Sequence, residues 1–170
     1  SFGILERHPR RPVRCNGSGD RPVGLRVAAA TESRSGTTER IGGEIAAGLV
    51  AQGATVRQVK LADLGAADLL ATDLLVIGSW VEGLVVAKVG PAPAARRALA
   101  ELPGLAGLPV ALFCTYGINP RRTLDTMADA IVAKGGRVVG SAAFGRKPNH
   151  APRTVAKAWA KEVSSPVAVG

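Results

Sequence analysis

Aromatic side chains are scarce in this chain: three Phe, two Trp and one Tyr among 170 residues. A core so short of rings must be filled by Ala, Val and Leu, which suits helices laid closely on a sheet. It also makes an aromatic outside the apolar runs worth inspecting, and Trp80 and Tyr116 are such cases. Cysteine is nearly absent. Cys15 and Cys114 stand 99 positions apart, which gives neither a disulfide framework nor a metal-ligand spacing. His8 and His150 lie in the basic ends with no Ser, Cys or Asp arrangement around them, which argues against a catalytic role for either. No apolar run approaches the roughly twenty residues of a membrane span. Nor does a continuous apolar segment follow the N-terminal Arg cluster, as a secretory signal would require. There is no internal repeat. A cytoplasmic protein is expected.

What is present sets the frame. At 46% hydrophobic and 21% charged residues, the chain can bury one sizeable core. The formal net charge is +9, and its distribution matters more than its size. Residues 1–26 carry six Arg against Glu6 and Asp20, and residues 145–170 carry five basic side chains against Glu162, so each end contributes +4 and the middle only +1. No aromatics interleave the basic ends in a base-stacking pattern, so no specific nucleic-acid partner is expected. Residues 1–24, with Pro9, Pro12, Pro22 and Asn16-Gly17-Ser18-Gly19-Asp20, read as a basic, disordered extension, and residues 25–170 as the folded domain.

From residue 25 onward, apolar runs alternate with helical patterns. Val27-Ala28-Ala29-Ala30, Leu74-Leu75-Val76-Ile77, Val110-Ala111-Leu112-Phe113 and Val138-Val139 have the character of strands buried on both faces. Thr55-Val56-Arg57-Gln58-Val59 alternates and reads as a less buried strand. Helices are expected near 38–52, 92–101, 122–135 and 152–163, with Pro91 and Pro93 at the start of the second and Gly135-Gly136 stopping the third. Five strands alternating with helices predict a doubly wound α/β sandwich: a five-stranded parallel sheet with helices on both faces.

Ligands of such sheets sit beyond the carboxyl ends of the strands, where strand order switches direction. Three loops should meet there. The first, Ser33-Arg34-Ser35-Gly36-Thr37-Thr38, puts hydroxyls and a glycine at the start of a helix whose Ile41, Ile45 and Leu49 form one apolar stripe. Thr37 or Thr38 can cap that helix. Unpaired N–H groups and the positive end of the dipole suit a phosphate there. The second loop is Gly78-Ser79-Trp80-Val81-Glu82-Gly83 and the third Thr115-Tyr116-Gly117-Ile118-Asn119. Each offers one aromatic, and together the three fit a ligand with a phosphate at one end and a flat ring system at the other. Plainer readings stand beside these: hydroxyls that merely cap a helix, a core Trp80, Asn119 as a helix cap, and Cys114 as a small buried apolar residue. The chain has no Gly-x-x-x-x-Gly-Lys-Ser/Thr motif, and no Gly-x-Gly-x-x-Gly after its first strand, which argues against an ATP or GTP P-loop and a dinucleotide site. A phospho-receiver domain would need acidic pairs where this chain has Thr31-Glu32 and Gly78-Ser79.

The three loops in order, over residues 25 to about 145, resemble flavodoxin. The phosphate loop of that family, Ser/Thr-x-Ser/Thr-Gly-x-Thr, is matched by Ser33, Arg34, Ser35, Gly36, Thr37 and Thr38. The resemblance implies a flavodoxin-like three-layer sandwich that binds FMN. It assigns the phosphate to that loop and the ring to Trp80 and Tyr116, with Ser79, Thr115, Gly117 and Asn119 around it. Gly78 and Gly83 become the glycines whose peptide turns toward the flavin on reduction. A one-electron carrier between redox partner proteins is the implied function. Alternatives are an FMN-dependent quinone or protoporphyrinogen reductase, and a module that has lost its flavin. Two departures matter. Only Glu82 supplies negative charge in the ring loops, which predicts a less negative second reduction step, and Arg34 is an unusual cation in the phosphate loop. The basic surface predicts acidic docking partners.

Overall fold

The computed structural model describes residues 24–32, 36–82, 90–91, 93–116, 123–145 and 151–164. The expected N-terminal extension, with His8 and Cys15, falls outside this range except for Gly24, and His150 falls outside it as well. In chain order the elements are β1 (Arg26–Glu32), α1 (Thr37–Ala51), β2 (Thr55–Lys60), a 3-10 turn (Leu61–Asp63), α2 (Ala66–Leu70), β3 (Leu74–Glu82), β4 (Gly90–Pro91), α3 (Pro93–Ala100), β5 (Pro109–Thr115), α4 (Thr123–Ala133), β6 (Arg137–Phe144) and α5 (Pro152–Ser164). Five strands pair in parallel in the order β2-β1-β3-β5-β6, and the short β4 pairs antiparallel with the end of β3. Strand order reverses at β1, whose neighbours are β2 and β3, so the crevice beyond the carboxyl ends of β1 and β3 is where a ligand is expected.

Side-chain alternation sorts the apolar runs onto two faces. Ala28, Ala30, Leu75, Ile77 and Leu112 meet Leu99 of α3 and Met127 and Ile131 of α4 in one cluster. Val27, Ala29, Val76, Ala111 and Phe113 meet Ile41, Ile45 and Leu49 of α1 and Ala156, Trp159 and Ala160 of α5 in the other. The predicted stripe of α1 is thus the face it buries. Each fully buried Leu or Ile contributes about 2 kcal/mol. Small residues let the layers approach: a Cβ added at Gly48 of α1 would lie 2.8 Å from the Ala156 Cβ of α5.

The sandwich and all five expected strands are present. Three details differ from the sequence reading. Val138-Val139 belongs to an edge strand and is only half-buried, because β6 has β5 on one side alone. The helix α2 is additional, since five residues are too few to show a period. Finally, β3 continues through Gly78 to Glu82, where the sequence suggests a loop.

Candidate functional site

The turn into α1 is shaped by its glycine. Gly36 is the N-cap, at φ 87° and ψ −10°, and as a glycine it brings no side chain of its own to cap the helix. This left-handed backbone is open to glycine at little cost, and a Cβ built there would meet nothing within 4 Å. The expectation that Thr37 or Thr38 caps the helix is therefore corrected: they are its first and second residues. Thr37 is exposed, whereas Thr38 is buried at 1% and its hydroxyl lies 2.7 Å from the hydroxyl of Thr115. Ser33, Arg34 and Ser35 lie outside the described residues.

The second segment is a strand rather than a loop, and this changes what its residues can do. Gly78 pairs with Thr31 of β1 and Phe113 of β5. Its backbone is therefore part of the ladder, with a strand on either side. A Cβ on Gly78 would fall 2.0 Å from the Phe113 Cζ, so the missing side chain makes room for that ring. Phe113 in turn meets Phe144 edge to face, with centroids 6.2 Å apart. Ser79 is fully buried, and its hydroxyl donates to the Trp80 carbonyl at 2.9 Å. It is a strand residue inside the protein, unlike the loop hydroxyl the sequence suggests. Trp80 is half-buried and packs against the cluster under α3 and α4. Gly83 lies outside the described residues.

Across the carboxyl end of the sheet, Trp80 pairs in register with Thr115, and Thr115 with Phe144. Thr115 is thus the last residue of β5, where the sequence reading places it in a loop. Tyr116 follows directly. It is half-buried, and its backbone N–H donates to the Phe144 carbonyl at 3.1 Å. Its ring rests against Gly145: a Cβ there would meet the Tyr116 Cζ, Cε2 and Oη at 2.9 to 3.0 Å. The sequence reading missed Gly145. A signal was available, because the strand beside β5 must end at the same edge and a glycine follows its last residue. Gly117 and Asn119 lie outside the described residues.

The chemistry of this edge is mild. Cys114 is buried, and loss of hydration pushes its thiol up to about 12, so it acts as an inert small residue. Among the described residues no group of three His, Cys, Asp or Glu side chains could hold a metal ion. The ion pair of Arg26 with Asp73, whose Nε and Oδ2 are 3.2 Å apart, lies at the opposite end of the sheet, where β1 and β3 begin. No described helix is long and apolar enough to cross a membrane.

No protein-family model and no curated protein matches the chain. Solved structures do. A two-electron reduced flavodoxin of Megasphaera elsdenii superposes with a TM-score of 0.66 at 24% identity, over 79% of this chain and 98% of that one. Flavodoxin 2 of Bacillus cereus gives 0.63 at 20%, over 82% and 97%. The rubredoxin oxygen:oxidoreductase of Desulfovibrio gigas gives 0.63 at 16%, over 82% of this chain but 35% of that one. Together with the strand order and the helices on both faces, these likenesses identify the described chain as a flavodoxin-like α/β domain.

Proposed function

We propose that this chain binds FMN at the carboxyl edge of its sheet and carries single electrons between redox partner proteins. The observation that bears most on this reading is the turn at Gly36: a left-handed glycine at the start of a 15-residue helix, with open space where a side chain would stand. Such a turn lets a phosphate approach the first N–H groups of α1. Tyr116, backed by Gly145, presents an aromatic surface at the same edge of the sheet, and Trp80 stands one strand away. The residues present therefore fit FMN.

In this reading Ser33, Arg34, Ser35, Gly36 and Thr37 hold the phosphate, and Tyr116 and Trp80 flank the ring together with Gly83, Gly117 and Asn119. FMN supplies the electron transfer when bound. The chain fixes the phosphate with oriented dipoles and shields the ring from water. The basic ends favour partners with acidic docking surfaces, and a cytoplasmic setting suits a carrier of this kind.

Incubating the purified protein with FMN and recording its visible spectrum after desalting tests the reading. Retained flavin bands, lost in Ser35→Glu, are expected; a colourless protein that refuses FMN would leave only the flavodoxin-like module. A second reading is an FMN-dependent quinone reductase using the same site, and the packing of Trp80 against the core bears on it, since a substrate needs room over the flavin. Quinone turnover with NAD(P)H by the FMN-loaded protein would favour it.

A further inference from the structure

The hydroxyls of Thr38 and Thr115 are 77 residues apart in sequence and 2.7 Å apart in space. Both side chains are buried, at 1% and 6% exposure. Thr38 is the second residue of α1, two positions after the left-handed Gly36. Thr115 ends β5, and the next residue is Tyr116, whose own N–H is fixed to the Phe144 carbonyl and whose ring leans on Gly145. One hydrogen bond thus joins the start of the anion turn's helix to the strand end that sets the aromatic ring. In the first turn of a helix a Thr hydroxyl is free to serve an anion or the backbone. Here it is held by the end of a distant strand.

We propose that Thr115 is a positioning residue that acts through Thr38, fixing the distance between the phosphate-holding turn and Tyr116. The inference rests on the FMN reading. A ligand with two recognised ends gains from both only when the two subsites are held at the span of its linker, because the second contact then forms at high effective concentration. A clasp between the subsites therefore adds affinity for FMN beyond what it adds for a ligand that has the ring without the phosphate. Thr115 need not touch either end.

The test compares FMN with riboflavin, which carries the same ring and chain without the phosphate, by quenching of flavin fluorescence. In Thr115→Val, which keeps the shape and removes the hydroxyl, the ratio of FMN to riboflavin affinity is expected to fall about tenfold, the worth of one well-placed hydrogen bond. Thr115→Ser should restore it. Thr38→Val should give the same fall, and the double variant no further fall, because one bond is broken only once. A merely structural role would change folding stability and leave the ratio alone. A ratio equal to that of the unmodified protein in folded Thr115→Val, or additive falls in the double variant, overturns the inference while leaving FMN binding intact. Failure of the unmodified protein to bind FMN overturns both. If Thr115→Val fails to fold, Thr115→Ala carries the same comparison: a fall in the ratio supports the clasp, and a ratio equal to that of the unmodified protein in folded Thr115→Ala overturns it.

Discussion

Gly78 is the residue whose chemistry is least visible in its neighbours along the chain. Its Cβ position is occupied by the Phe113 ring, so Gly78→Ala should destabilise the protein by about 3 kcal/mol through overpacking. Urea denaturation measures this, and the penalty should shrink when Phe113→Leu is added, since the two sites share one space. Gly36→Ala has a different cause, because nothing crowds that site and only the backbone resists. A cost of about 1 kcal/mol is expected from the left-handed φ. Cys114 gives a pH signature. Its thiol ionises near 9.0 when unfolded and at about 12 when folded, so the unfolded chain holds fewer protons between those values. Stability from this group is complete below pH 9 and is lost as pH rises toward 12. Cys114→Ala should flatten that alkaline decline, as followed by thermal melts from about pH 8 to about pH 11. Residue identity alone was enough to place the small buried cysteine. It misplaced Gly78 and Ser79, because a strand that continues through Gly-Ser-Trp and a loop that begins so have the same letters. What separates them is Phe113, 35 positions away.

At the scale of elements, the apolar runs and the α1 stripe were legible because each strand of the sheet's middle is buried on both faces and leaves an unbroken hydrophobic run. Val138-Val139 looked the same for a local reason. Its edge position depends on strand order, which no single segment encodes. The covering helix α5 illustrates the same point. Its Trp159 is 4% exposed and lies over Gly140 of β6, where a Cβ would stand 2.3 Å from the indole Nε1. Trp159→Ala should cost about 3 to 5 kcal/mol, read from guanidinium unfolding. The exposed pair Arg153 and Glu44, which bridges α5 to α1 at 3.1 Å, should by contrast contribute well under about 1 kcal/mol. Hydrophobic contact holds these helices together, and the surface charges add little.

At the scale of the whole molecule, the sheet order brings the ends of β1, β3, β5 and β6 to one edge, and the proposed site is a property of that edge. The sequence suggests three segments that should meet at this edge, of which the second is in its described part the end of β3. Their mutual attachments were not legible there: the hydroxyl bond from Thr38 to Thr115 and the seat of Tyr116 on Gly145 join residues that only folding makes neighbours. The proposed site's selectivity for a phosphate-bearing ligand is therefore the most direct expression of the fold. Parallel titrations of the purified protein with FMN and riboflavin measure it. FMN is expected to bind about a hundredfold more tightly, the worth of two charge-assisted hydrogen bonds at about 1.5 kcal/mol each. Equal affinity for the two flavins, or binding of neither, would contradict a phosphate-holding turn at Gly36.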